Sequence, residues 1–193
     1  MIIKKLDGDI FLYEDVIPEN INILEEFKFL TDEYGKNFQL GSMNNKEYNL
    51  NIRSSQTISL HQNPNDTDEC NKAKKRIDDK INKIVNPCMF DFLKKTGHMI
   101  KEKESWELLR YNQSEKVEWH VDNGPFHPCI VSFVIYLNDD YEGGEIEFRD
   151  FLIGRKLKPK SGSVLIFPSS NYYIHKVNPV KSGTKYSMTS FAK

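Results

Sequence analysis

Two short stretches, Trp119-His120-Val121-Asp122-Asn123 and Tyr173-Ile174-His175-Lys176-Val177, decide how the chain is read. In an extended strand alternate side chains share a face, so His120 and Asp122 are expected to point one way and Val121 into the core behind them. His175 stands 55 residues further on, inside a second alternating apolar segment, and completes a triangle if the two strands face each other. Two imidazoles and one carboxylate bound on one face leave coordination positions open, which is the donor set of non-haem Fe(II) oxygen chemistry. A His-x-Asp pair alone is weak evidence for a metal. Its weight comes from the strands around it and from the residues C-terminal to His175.

From Ser105 onward the chain is a run of short β-rich segments: 106–111, 118–121, 130–137, 145–148, 156–158, 163–167, 173–177 and 184–191. Asn138-Asp139-Asp140, Gly143-Gly144, Lys160-Ser161-Gly162 and Lys181-Ser182-Gly183 supply the turns between some of them. Regular short strands with turn signals predict a sandwich or barrel. Ten residues after His175 stands Lys185, with Ser187 on the same strand face. If Lys185 lies at the back of a barrel whose mouth holds the metal, its ammonium can pair with the far carboxylate of a dicarboxylic co-substrate whose near end chelates the metal. Tyr111 and Tyr136 fall on strands that would line the same cavity.

The N-terminal half reads differently. Residues 9–16 predict a strand, and Pro18 is expected to open a helix carrying Ile21, Leu24, Phe27 and Leu30, closed by Tyr34-Gly35. The polar loop Asn37–Asn49 is expected to act as a lid, and after it a strand is expected over 51–60 in which Arg53 faces a ligand. Asp66 or Thr67 should cap a long helix with the stripe Cys70, Ala73, Ile77, Ile81, Ile84, Cys88 and Phe92, kinked or broken at Asn86-Pro87. Lys74-Lys75-Arg76 and Asp78-Asp79-Lys80 would form its wet face. Thr96-Gly97 ends it.

With 193 residues the chain fits one domain, 1–104 giving helical support and groove elements and 105–193 the β core. Lys and Arg number 27 against 28 Asp and Glu, so no net field recruits nucleic acid or an anionic membrane. No stretch approaches the roughly 18 apolar residues of a membrane span. Three cysteines at wide spacing, with no CxxC pair, predict free thiols and a reducing, cytoplasmic setting.

Taken in order, Arg110-Tyr111-Asn112, His120-Val121-Asp122-Asn123, Tyr136-Leu137-Asn138, Gly143-Gly144-Glu145-Ile146, Pro159-Lys160-x-Gly162-x-x-Leu165-x-Phe167-Pro168, His175-x-Val177 and Lys185-Tyr186-Ser187 form one pattern. From Leu109 to Phe191 the chain resembles the Fe(II)- and 2-oxoglutarate-dependent dioxygenases, and within them the prolyl 4-hydroxylase-like branch. The resemblance implies an α+β chain with a double-stranded β-helix, a jelly-roll barrel, and supporting N-terminal helices. It implies that His120, Asp122 and His175 hold the catalytic iron, and that Lys185 with Tyr136 or Tyr111, and Ser187 beside it, holds 2-oxoglutarate. O2 is then the second co-substrate and ascorbate an accessory. A prolyl residue in a peptide or protein is the implied substrate, hydroxylated as 2-oxoglutarate is decarboxylated to succinate and CO2.

Arg53, Trp119 and Arg149 are the candidate substrate contacts, in a groove formed by the 37–49 loop, the Arg53 strand and the Gly124–His127 turn. Two positions depart from the pattern: Ser114-Glu115 replace a common glycine, and Phe191 stands where tryptophan is frequent. Two alternatives stand beside this reading. The first keeps the chemistry but acts on a free amino acid or other small molecule in an enclosed pocket. The second is a non-catalytic β-barrel module holding a structural metal, against which counts the four-ligand habit of structural zinc. His127, the nearest spare ligand, sits in a Pro-rich turn.

Overall fold

The computed structural model describes residues 1–18, 21–41, 52–125, 127–151 and 156–193. Strands β1 (Ile2–Asp7) and β2 (Ile10–Glu14) form an antiparallel hairpin that turns at Gly8, whose φ of +51° suits a residue without a side chain. β1 carries no sequence signal because it is an edge strand with nearly every side chain exposed. Helix α1 (Ile23–Tyr34) begins five residues after Pro18, not at it. Asn22 is the cap, its side chain accepting the Leu24 N–H at 3.1 Å, which satisfies a donor that a proline start would leave to solvent. Gly35 closes the helix in the left-handed conformation, as the Tyr34-Gly35 pair predicts.

After β3 (Gln39–Leu40) and β4 (Gln56–Ser59), helix α2 (Asp68–Thr96) runs for 29 residues. Thr67 caps it through the Cys70 N–H at 3.2 Å. The expected break at Pro87 does not occur. Proline removes one intrahelical hydrogen bond, but Pro87 and Lys83, whose carbonyl loses its partner, are both exposed to water. Val85, Cys88, Met89 and Phe92, on either side of the proline, are buried against the sheet, with Val85 taking the place expected for Ile84. Nor is the whole charged run wet: Lys74 is buried, reaching Asp66 at 2.8 Å and the His61 carbonyl at 3.0 Å. Asp78 accepts the Trp106 N–H at 2.8 Å. These two contacts anchor the helix to the loop before it and to the strand that comes after.

The remaining strands are β5 (Glu107–Tyr111), β6 (Val117–His120), β7 (Val131–Tyr136), β8 (Glu142–Gly143), β9 (Ile146–Phe148), β10 (Lys156–Leu157), β11 (Val164–Pro168), β12 (His175–Val177), β13 (Val180–Ser182) and β14 (Lys185–Ala192). Among the described residues they complete an eight-stranded sheet ordered β1-β2-β11-β7-β14-β5-β4-β3, a four-stranded sheet ordered β10-β9-β12-β6, and the ribbon β13-β8. Strand alternation divides the large sheet into two faces. Phe11, Tyr13, Phe133, Ile135, Val164, Ile166 and Met188 pack with α1 and α2 in the main core. Their sequence neighbours Ile10, Leu12, Tyr136, Leu165 and Phe167 pack with Ile146 and Phe148 of the small sheet. The described residues are thus mostly β-sheet with two helices, which cover one face of the large sheet while the small sheet lies across the other. Phe92, fully buried at the helix–sheet seam, is a strong tie; truncation to alanine is expected to cost about 3–5 kcal/mol. No helix among the described residues is long and apolar enough to cross a membrane.

Candidate functional site

On the small sheet β12 pairs antiparallel with β6, and His175 falls directly opposite His120. Two residues later on β12, Val177 is opposite Val117, three residues from His120, so β6 carries an extra residue in the form of a β-bulge. The bulge breaks simple alternation: Val117 and His120 both face inward, and Trp119 is turned out to solvent. The imidazole centroids stand 4.3 Å apart. β6 ends at His120, so Asp122 reaches the same place from the turn beyond the strand, and Val121 is only partly buried instead of sitting in the core.

Asp122 Oδ1 lies 3.5 Å from His120 Nε2 and Oδ2 lies 3.7 Å from His175 Nε2. One potential ligand atom from each of the three residues falls within a 4.8 Å group. The donors are held from behind. His120 Nδ1 is 2.8 Å from the Glu118 carbonyl and His175 Nδ1 3.0 Å from the Tyr173 carbonyl, in each case the residue two back in the chain. Donation from Nδ1 to these carbonyls leaves each Nε2 bare and aimed at the centre. Asp122 Oδ2 accepts from Ser132 Oγ at 2.6 Å, and Ser132 Oγ is 2.7 Å from Ser169 Oγ, both serines being buried.

The protonation states suit a cation. Burial pulls the His175 pKa down to about 4 although Asp122 opposes it, so the ring is neutral at physiological pH. Burial alone would raise the Asp122 carboxyl; the His175 and His120 rings and the Ser132 hydroxyl outweigh it and hold the group well below the usual carboxylate range. Two imidazole nitrogens and one carboxylate oxygen, pre-oriented and converging, are a fit donor set for a divalent transition metal.

The same cavity is lined by Tyr111, Tyr136, Lys185, Ser187 and Arg53. Lys185 is 2 % exposed, and its ammonium donates to the Gly144 carbonyl at 2.8 Å. It stands 5.2 Å and 5.3 Å from the Tyr111 and Tyr136 ring centroids, with no carboxylate within ion-pair distance among the described residues. Burial draws its pKa down to about 7, the Glu145 charge offsetting only part of that. Gly144 is required here, since at φ +63° a β-carbon would come within 3.2 Å of Lys185 Cδ. The Tyr136 hydroxyl is buried without a hydrogen-bond partner among the described residues. A buried cation lacking an anion beside an orphaned phenol fits one carboxylate of a dicarboxylic ligand.

The substrate contacts expected from the sequence divide. Arg53 lines the cavity, pairing by a β-bridge with Val117 and donating from Nε to Ser55 Oγ at 3.0 Å. Trp119 does not line it: next to the inward-facing His120 it alternates to the outer face, beneath the Lys176 ammonium, 4.5 Å from its ring. Arg149 is exposed and paired with Asp150 at 2.9 Å, away from the cavity. Of the expected lid, residues 39–40 form β3 against β4, while 42–49 lie outside the described residues, as does Phe126 of the Gly124–His127 turn. His127 is not a spare ligand: it pairs with Glu104 at 2.9 Å. Ser132, Ser169 and the two carbonyl acceptors have no counterpart among the sequence expectations. Parity with Tyr136 on one strand is the signal that places Ser132 on the cavity face.

Residues 106–193 match the model of the 2OG-Fe(II) oxygenase superfamily. A PKHD-type hydroxylase of Synechococcus sp. (strain CC9902) is 33% identical over 111 residues, 54% of this chain and 49% of that one. A PKHD-type hydroxylase of Prochlorococcus marinus (strain MIT 9515) is 35% identical over 108 residues, 53% of this chain and 45% of that one. The chain therefore spans about half the length of these curated relatives. In fold it is similar to a Trichoplax adhaerens prolyl hydroxylase solved with a hypoxia inducible factor peptide fragment (TM-score 0.70, 16% identity, 95% of this chain and 83% of that one). It is also similar to a Pseudomonas putida prolyl-4-hydroxylase (TM-score 0.66, 17% identity, 96% and 92% covered). The resemblance seen in the sequence holds for the family model, the relatives and the solved folds alike.

Proposed function

We propose, on the premise that residues 106–193 are a 2OG-Fe(II) oxygenase segment, that this chain is an Fe(II)- and 2-oxoglutarate-dependent dioxygenase acting on a prolyl residue of a peptide or protein. The observation that carries this reading is the opposition, within one cavity, of a His-Asp-His cluster and a buried lysine that has no ion-pair partner among the described residues. When bound, Fe(II) with 2-oxoglutarate and O2 supplies C–H hydroxylation coupled to conversion of the co-substrate to succinate and CO2. His120, Asp122 and His175 would hold the metal. The Ser132–Ser169 pair fixes the Asp122 carboxylate, and the Glu118 and Tyr173 carbonyls fix the rings. Lys185 and the Tyr136 hydroxyl would take the distal carboxylate of 2-oxoglutarate, with Tyr111 and Ser187 shaping the wall beside them. Val134, Ile146 and Val177 line the cavity with apolar surface, which limits water around the reacting centre.

The strands of 105–193 are read as a double-stranded β-helix, supported by 1–104 within one domain, which adds β1–β4 to the large sheet. The prolyl assignment is supported by the PKHD-type relatives and by the two prolyl hydroxylase folds. Three buried free cysteines suit a reducing compartment such as the cytoplasm. Succinate formation under air with added Fe(II) and 2-oxoglutarate tests the reading. Turnover in the native protein that disappears in His175→Ala and Lys185→Ala is the expected result. Absence of both metal and 2-oxoglutarate binding in the native protein overturns it.

A further inference from the structure

The cavity is charged at both ends: Lys185 closes one, and Glu107 lies towards the other, the end at which Ser132, in register with Phe191, holds the Asp122 carboxylate of the metal site. β5 reads Glu107-Leu108-Leu109-Arg110-Tyr111. Alternation puts Glu107, Leu109 and Tyr111 on the cavity face, while Leu108 points into the helix-side core. Glu107 is in register with Thr189, and Tyr111 with Lys185. At about 3.4 Å per residue, four residues separate the Glu107 and Lys185 ends by about 14 Å along the sheet. Thr189 and Phe191 line the Glu107 end.

The neighbours of Glu107 are already committed. Glu104 is matched by His127 at 2.9 Å and Lys193 at 2.7 Å. The Lys103 ammonium donates to the Glu104 carbonyl at 2.8 Å and to Ser190 Oγ at 3.0 Å. Among the described residues no hydrogen bond or ion pair reaches the Glu107 carboxylate. Its side chain is half-buried, and it borders both the metal cavity and an adjoining depression of mixed charge lined by Glu102, Lys103, Glu104, His127 and Lys193. An apolar group entering past it would strip water from the carboxylate and return no hydrogen bond, a neutral N–H or O–H donor would return an ordinary one, and a cationic donor returns the stronger, charge-assisted one.

We infer that the substrate presents a cationic nitrogen, an ammonium or guanidinium, to Glu107 at the end of the cavity opposite Lys185. This rests on the proposed function in taking the cavity as the place where substrate is held. On the prolyl reading the cation belongs to a residue beside the proline; a free basic amino acid offers the same group.

Binding to the protein loaded with redox-inert Zn(II) and 2-oxoglutarate tests it, with calorimetry as the readout. The probes are proline-containing heptapeptides identical except for Lys, Arg, norleucine or Glu next to the proline, with free lysine as a separate arm. The Lys and Arg peptides should bind about tenfold or more tighter than the Glu peptide. Glu107→Gln, nearly isosteric, should reduce that ratio below about threefold, and Glu107→Lys should reverse it. Binding of free lysine that weakens by the same factor in Glu107→Gln also supports the inference and assigns the cation to a small substrate. Equal affinity across the charge series, an unchanged preference in Glu107→Gln, or binding of no cationic probe overturns it. If Zn(II) and 2-oxoglutarate bind normally in that case, this inference alone falls. If neither binds, the proposed function falls and takes the inference with it.

Discussion

The metal end and the lysine end of the cavity are finished in opposite ways. At the metal end each donor has its own protein partner: a carbonyl behind each histidine and a serine pair behind the carboxylate. At the lysine end the ammonium has one carbonyl and two ring faces, and the Tyr136 hydroxyl has no partner among the described residues. The first end is preorganised, so a metal arriving there need not order its ligands. The second is incomplete in chemical terms, since buried polar groups left unmet in the free protein are met only when a ligand brings an anion. The contrast predicts that mutations at the metal end weaken an existing geometry, whereas changes at the lysine end alter what the ligand adds.

Removing a metal donor breaks the contrast most severely. His175→Ala is expected to lower metal affinity more than about a hundredfold, measured by competition with a chromophoric chelator, and to abolish succinate formation. Next, Ser132→Ala frees the Asp122 carboxylate while leaving all three donors in place, and metal affinity should fall about 10–100-fold by the same measurement. Ser132→Thr, which keeps a hydroxyl, should recover most of it. An unchanged affinity in Ser132→Ala would show that Asp122 is held by the chain turn alone.

The lysine end should respond to pH. Its folded-state pKa of about 7 lies below the ordinary 10.5, so between these values the unfolded chain carries the extra proton. Stability of the ligand-free protein should therefore gain a rising contribution from pH 7 upward, visible in denaturant titrations. The affinity for 2-oxoglutarate, which requires the charged form, should fall by up to about tenfold per pH unit above 7. Lys185→Arg, which stays charged, should flatten that dependence. The smallest expected effect is that of Tyr136→Phe. Deleting an unpartnered buried hydroxyl should leave the free protein as stable or about 1 kcal/mol more stable by thermal unfolding, while 2-oxoglutarate binding weakens severalfold. A destabilised variant would mean that the hydroxyl is already satisfied in the free protein.

The same contrast explains what is legible in the sequence. His120, Asp122, His175 and Lys185 carry chemistry in their side chains and recur at recognisable positions on alternating strands, so their grouping can be anticipated. Their supports cannot: a carbonyl two residues back has no residue type to read, and Ser132 looks like any small residue within Val131-Ser132-Phe133. The bulge in β6 is equally silent: nothing in Val117-Glu118-Trp119-His120 announces that Val117, three residues away, shares the cavity face with His120. Elsewhere local rules are overridden by context. Pro87 suggests a helix end, yet buried contacts on both sides carry α2 through it, and Pro18 suggests a helix start that Asn22 provides instead. β1, nearly all exposed, offers no periodicity to detect.

The bulged pairing of His120 with His175 has a consequence for how the chain matures. A slip of one residue between β6 and β12 would send one imidazole to the outer face of the sheet, because strand side chains alternate. Misregistered molecules would then lack a complete donor set and fail to load. A metal bound at this site would therefore stabilise only those molecules whose two strands have found their proper alignment.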